Sequence, residues 1–359
     1  MKVELKGQGE LKLPSHCLSL TRGAGDQLFT ACLDGGIYAV DAEAKTYHEI
    51  ARHDNFASGV NWSAAAGRLI TAGYDGNLKW IDPAAKTVER EVDAHDFWSW
   101  QSAISPDGKR IASVTGQYLS GGYKYEPAPE REPSVRVYNV ETGEETHHFE
   151  HVPPVESVAF SRDGAFVAAG NMMGEVRIWN LDNGKEVARI ETPSFTGWGI
   201  IKGHYYTGGV FSLAFAPDDQ SIFLAGMGTT RDPAAGNGKQ LWERWSWREG
   251  NVEKLTSAIE GEIGNGLMET LTFHPSGKYF VMAGRLHSGG DWNVAIFDTE
   301  TGSRIAKHDT KLRMSKAVWS EDGSRLFLAG GGGQPKKKED LEKAEWGRVR
   351  VSKIGVSEE

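Results

Sequence analysis

The feature that most constrains this chain is an internal repeat of short strands joined by turn residues. In its clearest copy, strands are predicted at 155–160, 166–170, 176–180 and 185–190. The first joint is Ser161-Arg162-Asp163-Gly164 and the last is Leu181-Asp182-Asn183-Gly184. Asp and Asn favour tight turns, and Gly supplies the positive φ that such turns need. Alternating strands with these joints predict a four-stranded antiparallel meander.

The same unit returns along the whole chain. Its first turn recurs at 105–108, 216–219, 274–277 and 320–323. Its third strand recurs at 78–82, 135–139 and 294–298, with an aromatic residue before or near Asp or Asn. A unit that cannot bury its own faces must stack against copies of itself, so the repeat predicts one closed array of meanders.

These motifs resemble the WD-repeat family of the G-protein β type, over essentially the whole chain. The aromatic residue before or near Asp or Asn in the third strands is similar to the WD dipeptide of that family. In the second repeat, four residues match the family's hydrogen-bonded His–Ser/Thr–Asp–Trp tetrad: His53, Thr71, Asp75 and Trp80. The resemblance implies an all-β propeller of four-stranded antiparallel blades, and a function in binding other proteins.

Counting the innermost strands gives the number of blades. Aligned on their first turns, they place equivalent residues at His16, Ser58, Trp100, Glu156, Phe211, Glu269 and Ser315, which predicts seven blades. We therefore expect a single domain, 1–359, with blades at 14–53, 54–95, 96–151, 152–191, 192–256, 257–309 and 310–355. The last blade lacks an outermost strand, and residues 1–13 are predicted to supply it and close the ring.

The extra length of the chain is concentrated in two classes of connection that emerge on one face, the top face. The insertions are 116–133, 192–209, 228–239, 257–266, 285–292 and 331–346. This predicts that the top face is the functional surface. Its candidate anchors are Trp98, Trp100, Trp198 and Trp292, because exposed Trp residues often anchor interfaces. Packing of these rings against the long loops remains an alternative.

The seven aligned residues are expected around the top of the central channel. Two carboxylates, an imidazole and two aromatic rings among them could hold a basic or aromatic group of a partner. The alternative is a water-filled channel with no ligand.

Composition and motifs exclude several other classes. The net charge is −9 and no basic stripe is present, which disfavours nucleic acid. No apolar run approaches the length of a membrane span, so we expect no membrane association and a cytoplasmic location. No zinc-ligand spacing, phosphate loop or nucleophile elbow is found, so the sequence predicts no metal, no cofactor and no catalytic residues.

The favoured hypothesis is a non-catalytic scaffold, monomeric by itself, that binds a protein or peptide on the top face and channel mouth. A small-molecule or glycan binder using the top-face aromatic residues is the alternative. A propeller hydrolase is less favoured, because Glu156 and Glu269 are separated by a whole blade.

Overall fold

The computed structural model describes residues 2–116, 130–195, 209–228, 238–259, 264–286, 290–333, 335–336 and 344–357. These residues form seven four-stranded sheets in which every strand pairing is antiparallel. Each innermost strand contacts the innermost strands of the two neighbouring blades, and that of the last blade contacts the first. The predicted all-β seven-bladed propeller is therefore confirmed.

The first four blades follow chain order from the channel outward. Blade one is β2 (Cys17–Arg22), β3 (Leu28–Cys32), β4 (Gly36–Asp41) and β5 (Thr46–Arg52). Blade two is β6 (Ala57–Ser63), β7 (Arg68–Gly73), β8 (Asn77–Asp82) and β9 (Thr87–Asp93). Blade three is β10 (Ser99–Ile104), β11 (Arg110–Thr115), β12 (Val135–Asn139) and β13 (Glu145–Phe149). Blade four is β14 (Val155–Phe160), β15 (Phe166–Asn171), β16 (Glu175–Asn180) and β17 (Glu186–Glu191).

Blades five and six repeat this order, and the described residues also form three short 3-10 helices between strands. Blade five is β18 (Gly209–Phe215), β19 (Ser221–Gly228), β20 (Lys239–Ser246) and β21 (Lys254–Ser257). Blade six is β22 (Gly266–Phe273), β23 (Tyr279–Leu286), β24 (Val294–Asp298) and β25 (Arg304–His308). The 3-10 helices are Ala24–Asp26, Pro193–Phe195 and Arg248–Gly250.

Blade seven joins the two ends of the chain. It is built from β26 (Arg313–Trp319), β27 (Arg325–Gly331), β28 (Gly347–Ser357) and, outermost, β1 (Lys2–Leu13). The pairing of β1 with β28 runs from Lys2 opposite Ser357 to Leu13 opposite Gly347. Leu11 and Leu13 are buried in a core cluster shared with blade one. The predicted closure by the N-terminal strand is confirmed.

The core lies between blades rather than inside any one of them. Val114 and Val135 of blade three pack in one cluster with Val155 and Trp179 of blade four. Because each sheet is covered on both faces, its inner strands are apolar at consecutive positions rather than at alternate ones. The run Phe166-Val167-Ala168-Ala169-Gly170 is one example. Burial between blades therefore fixes the ring as a rigid frame for the loops.

The strand bounds assign every predicted insertion to the expected class of connection. Each joins either the second and third strands of a blade or the last strand to the next blade. These two classes emerge on the same face of an antiparallel meander. Among the residues that the structure describes, no helix is long and apolar enough to cross a membrane.

Candidate functional site

Each innermost strand carries a β-bulge near its N-terminal end. The pairing with the second strand skips one residue in every blade, and the skipped residues are Leu18, Ser58, Trp100, Glu156, Phe211, Glu269 and Ser315. A bulge re-aims the extra side chain away from the regular ladder. All seven bulge residues line one cavity of about 100 Å³. We call this cavity the channel mouth.

The structure corrects one member of the predicted ring. In blade one the bulge residue is Leu18, whereas His16 lies two positions earlier and is buried. The first turn of this blade, between β2 and β3, lacks the Asp-Gly pair that marks the register in blades three, four and seven. A shift of two residues keeps every side chain on its original face, so alternation could not detect the error.

In four blades the side chain after the bulge accepts a hydrogen bond from the next blade and so ties the two blades together. Ser19 Oγ accepts a hydrogen bond from the backbone N–H of Val60 at 3.3 Å, and Gln101 Oε1 accepts one from Val158 at 2.9 Å. Ser212 and Thr270 accept equivalent bonds from the next blade. In blade seven this position is Lys316, whose ammonium can only donate. Lys316 therefore faces the channel mouth without making this bond.

Glu269 is held in a hydrogen-bonded network across blades six and seven. Its carboxylate accepts a bond from Arg313 Nε at 2.6 Å and from Ser315 Oγ at 2.9 Å. Since Ser315 donates to the carboxylate, it accepts from His16, whose Nε2 lies 2.9 Å away. Burial, followed by the nearby charge of Arg313, lowers the pKa of His16 to about 3, so its imidazole is neutral. Glu269 is therefore already neutralised within the protein.

Glu156 has the opposite environment. Its side chain is 2% exposed, and its Oε2 has no hydrogen-bond partner among the described residues. Burial raises the pKa of this carboxyl to about 8. The carboxyl lies against Gly209, where an added Cβ would come within 2.3 Å of Oε2. An unpaired buried acid is costly, which marks Glu156 as the exceptional group of the channel mouth.

An aromatic cluster borders the mouth at blades two and three. We use this name for Phe56, Tyr74, Phe97, Trp98 and Trp100. The Tyr74 ring stacks on Trp98 with centroids 4.8 Å apart and lies 5.8 Å from Trp100. Phe56 extends the cluster outward at 5.5 Å from Tyr74 and is 42% exposed. Because Tyr74 and Trp100 also line the channel mouth, cluster and mouth form one continuous surface.

The other predicted anchors have different positions. Trp292 is 1% exposed and packs in the core against Phe297. Contrary to the prediction, it is therefore not exposed on the top face. Its indole is large and apolar, and the start of β24 places it between the sheets of blades five and six. Trp198 lies outside the described residues.

The predicted tetrad is present as three residues. His53 Nδ1 donates to the carboxylate of Asp75 at 2.9 Å, and its Nε2 lies 2.8 Å from Thr71 Oγ1. Trp80 does not join them, because its Nε1 donates to the carbonyl of Val140 in blade three at 2.7 Å. Trp80 pairs with Ile70 rather than Thr71, so alternation turns its indole to the other face of the sheet.

Blade three has an equivalent triad that the sequence reasoning missed. His95 Nε2 lies 2.9 Å from Ser113 Oγ, and His95 Nδ1 lies 3.7 Å from the carboxylate of Glu132. Glu132 also accepts bonds from two backbone amides ahead of β10, as Asp75 does from Asp54. The acid comes from the end of a long insertion, so the spacing from histidine to acid gives no signal. A His at 53, 95 and 151, each five residues before a bulge, is the signal that could have found it.

Comparison with known proteins supports this architecture. The family described as WD domain, G-beta repeat matches residues 143–180, which cover the last strand of blade three and most of blade four. The chain is 26% identical to rat (Rattus norvegicus) apoptotic protease-activating factor 1 over 160 residues, 44% of this chain and 11% of that protein.

Two further relatives differ in coverage. Rat telomerase protein component 1 is 23% identical over 282 residues, 77% of this chain and 9% of that protein. A coronin-like protein of Saccharomyces cerevisiae is 27% identical over 118 residues, 29% of this chain and 18% of that protein. The chain thus spans less than a fifth of the length of these relatives. The matched repeat, the seven closed blades and these relatives together support a WD-repeat seven-bladed β-propeller.

Proposed function

We propose that this protein is a non-catalytic interaction scaffold that binds a segment of a partner protein across the aromatic cluster and the channel mouth. WD-repeat propellers generally serve as protein-interaction scaffolds. The observation that carries the proposal is the continuity of stacked, partly exposed rings with a cavity that holds an unpaired buried acid.

The energetics favour a protein segment on this surface. Stacked aromatic rings are already ordered, so a partner gains contact area without ordering flexible side chains. Phe56 and Trp98 would be the outer contacts, and Trp100 would join them to Ser58 and Phe211 in the mouth. Interface energy commonly concentrates in such aromatic residues.

The geometry is less suitable for the alternative functions. Cavities that enclose small molecules typically measure about 300–1,000 Å³, whereas the channel mouth measures about 100 Å³. Phe211 and the rest of blade five separate Glu156 from Glu269, and Glu269 is already paired with Arg313. A catalytic pair of carboxylates is therefore not part of the proposal.

The setting of this scaffold is also proposed. A net charge of −9 supports a protein partner rather than nucleic acid. We propose a monomeric propeller in the cytoplasm, with no metal or cofactor in its binding surface.

A pull-down from lysate of the native source tests the proposal. The baits are the wild type, a Phe56→Ala/Trp98→Ala variant, and a control, Val88→Ala/Leu255→Ala. The control also removes exposed apolar side chains, but from outermost strands. We expect a protein retained by wild type and control and lost by the aromatic variant, with the loss reproduced on purified components. Identical recovery by all three baits, with thermal stability unchanged, would contradict the proposal.

A further inference from the structure

Of the two carboxylates in the channel mouth, only Glu156 is available to a ligand. Glu269 is bound by Arg313 at 2.6 Å and by Ser315 at 2.9 Å, whereas Glu156 Oε2 has no partner among the described residues. The difference matters because a buried carboxylate must be protonated or find a cation. The two acids are therefore chemically distinct although they occupy equivalent positions in their blades.

The neighbours of Glu156 suit a cation. Trp100 and Phe211 are the bulge residues of the blades on either side, and both line the same cavity. Aromatic rings within about 6 Å stabilise an ammonium or guanidinium group, most strongly where water is excluded. A cation at this position would thus contact one carboxylate and two π systems.

The basic groups of the channel mouth lie across the ring from Glu156. Arg313 and Lys316 belong to blade seven, which is three blades from blade four by the shorter way round the ring. Burial is the cause of the raised pKa of Glu156, and its Oε2 has no hydrogen-bond partner among the described residues. No described basic side chain of the protein therefore neutralises this acid.

We propose that the channel mouth receives one lysine or arginine side chain of the partner, which pairs with Glu156 between Trp100 and Phe211. This inference rests on the scaffold function proposed above and specifies its partner: a segment that presents a basic residue. Lys316, on the far side, can donate to a backbone carbonyl of the same segment.

The pairing is linked to protonation. The carboxyl has a pKa of about 8 in the empty site, so a cation must displace its proton at neutral pH. If the cation binds only the carboxylate, its affinity increases about tenfold for each unit by which the pH rises towards that pKa. The increase from pH 6 to pH 8 is about 50-fold. The other charged groups lining the mouth are Glu269, Arg313 and Lys316. His16, behind Ser315, has a pKa of about 3 and does not titrate in this range.

The test uses three capped single amino acids as probes: the Nα-acetyl N-methylamides of arginine, lysine and citrulline. Citrulline has the shape of arginine without its charge. Binding is followed by tryptophan fluorescence and calorimetry at pH 8, with probe up to about 50 mM. We expect both basic probes to bind and citrulline to bind at least tenfold more weakly. The comparison of lysine with arginine shows which cation the site prefers.

Two variants make the test specific. Glu156→Gln keeps the shape of the protonated acid and should weaken the basic probes at least tenfold and abolish the pH dependence. Glu300→Gln makes the same side-chain replacement on an exposed turn and should stay within twofold of wild type.

Equal affinity for citrulline and arginine, unchanged binding by Glu156→Gln, or no response to either basic probe would overturn the inference. A partner lost by Phe56→Ala/Trp98→Ala but kept by Glu156→Gln would also overturn it, while leaving the scaffold function intact.

Discussion

Replacement of Glu156 by Gln should make this protein more stable, and increasingly so as the pH rises. The wild-type carboxyl has a pKa of about 8 in the folded chain against 4.5 when solvated, because burial disfavours its charged form. Folded protein therefore binds this proton more tightly than unfolded protein. The resulting stability is complete below pH 4.5 and is lost as the pH rises towards 8.

The magnitude follows from the two pKa values. Each pH unit between them removes about 1.4 kcal/mol of the free energy of unfolding. Between about pH 5.5 and pH 7 the wild type should lose about 2 kcal/mol from this group, and between pH 5.5 and pH 8.5 about 3 kcal/mol. Gln has the shape of the protonated acid and does not titrate, so the variant is free of this loss.

Urea unfolding followed by tryptophan fluorescence measures the effect at a series of pH values. The informative quantity is the difference between variant and wild type, because all other titrating groups contribute equally to both. The Glu300→Gln variant controls for the replacement of Glu by Gln at an exposed position. A difference that stays constant from pH 5.5 to pH 8.5 would show that Glu156 is solvated or paired, and would refute the reasoning behind the channel site.

Three further perturbations test the blades that hold the site. Asp75→Ala should lower the free energy of unfolding, measured in urea, by about 2–3 kcal/mol, because it leaves buried His53 and two backbone amides without their acceptor. A loss below about 0.5 kcal/mol would mean that the triad does not stabilise blade two. Deletion of residues 2–13 should abolish soluble expression or lower the free energy of unfolding by several kcal/mol, since it exposes the edge of β28 and removes Leu13 from the core. Unchanged thermal stability would contradict closure by β1. Gly209→Ala should lower the free energy of unfolding by about 1–3 kcal/mol and weaken binding of the basic probes, because φ is +137° and the new Cβ would press on the Glu156 carboxyl. Full stability and binding would show that this acid is placed elsewhere.

Much of the fold could be predicted because it depends on local chemistry. Turn residues such as Asp163 and Gly164 mark the joints between strands, and their recurrence predicts the number of blades. The missing outermost strand of blade seven and the spare segment at 1–13 together predict the closure. Six of the seven bulge residues were also identified, since they stand at a constant distance from these turns.

The errors arose where local signals were weak or repeated. The sequence predicts His16 at the bulge position that Leu18 occupies. The first turn of blade one lacks the Asp-Gly pair that marks the register elsewhere, and a shift of two residues preserves alternation. Trp80 was placed in the tetrad by residue type, although its register with Ile70 turns it to the other face. Trp292 was expected at the surface because an insertion precedes β24, but the indole packs between blades.

The chemistry of the channel mouth was decided by the tertiary structure. In the sequence, Glu156 and Glu269 are equivalent acids at equivalent positions. In the folded ring, Arg313 and Ser315 come from the next blade and neutralise Glu269, while the bulge residues of the two blades beside Glu156 are the aromatic Trp100 and Phe211. Turns and alternation report which way a side chain faces within its own blade. Which groups meet across the channel depends on the packing of neighbouring blades, and that packing determines which acid is left for a partner.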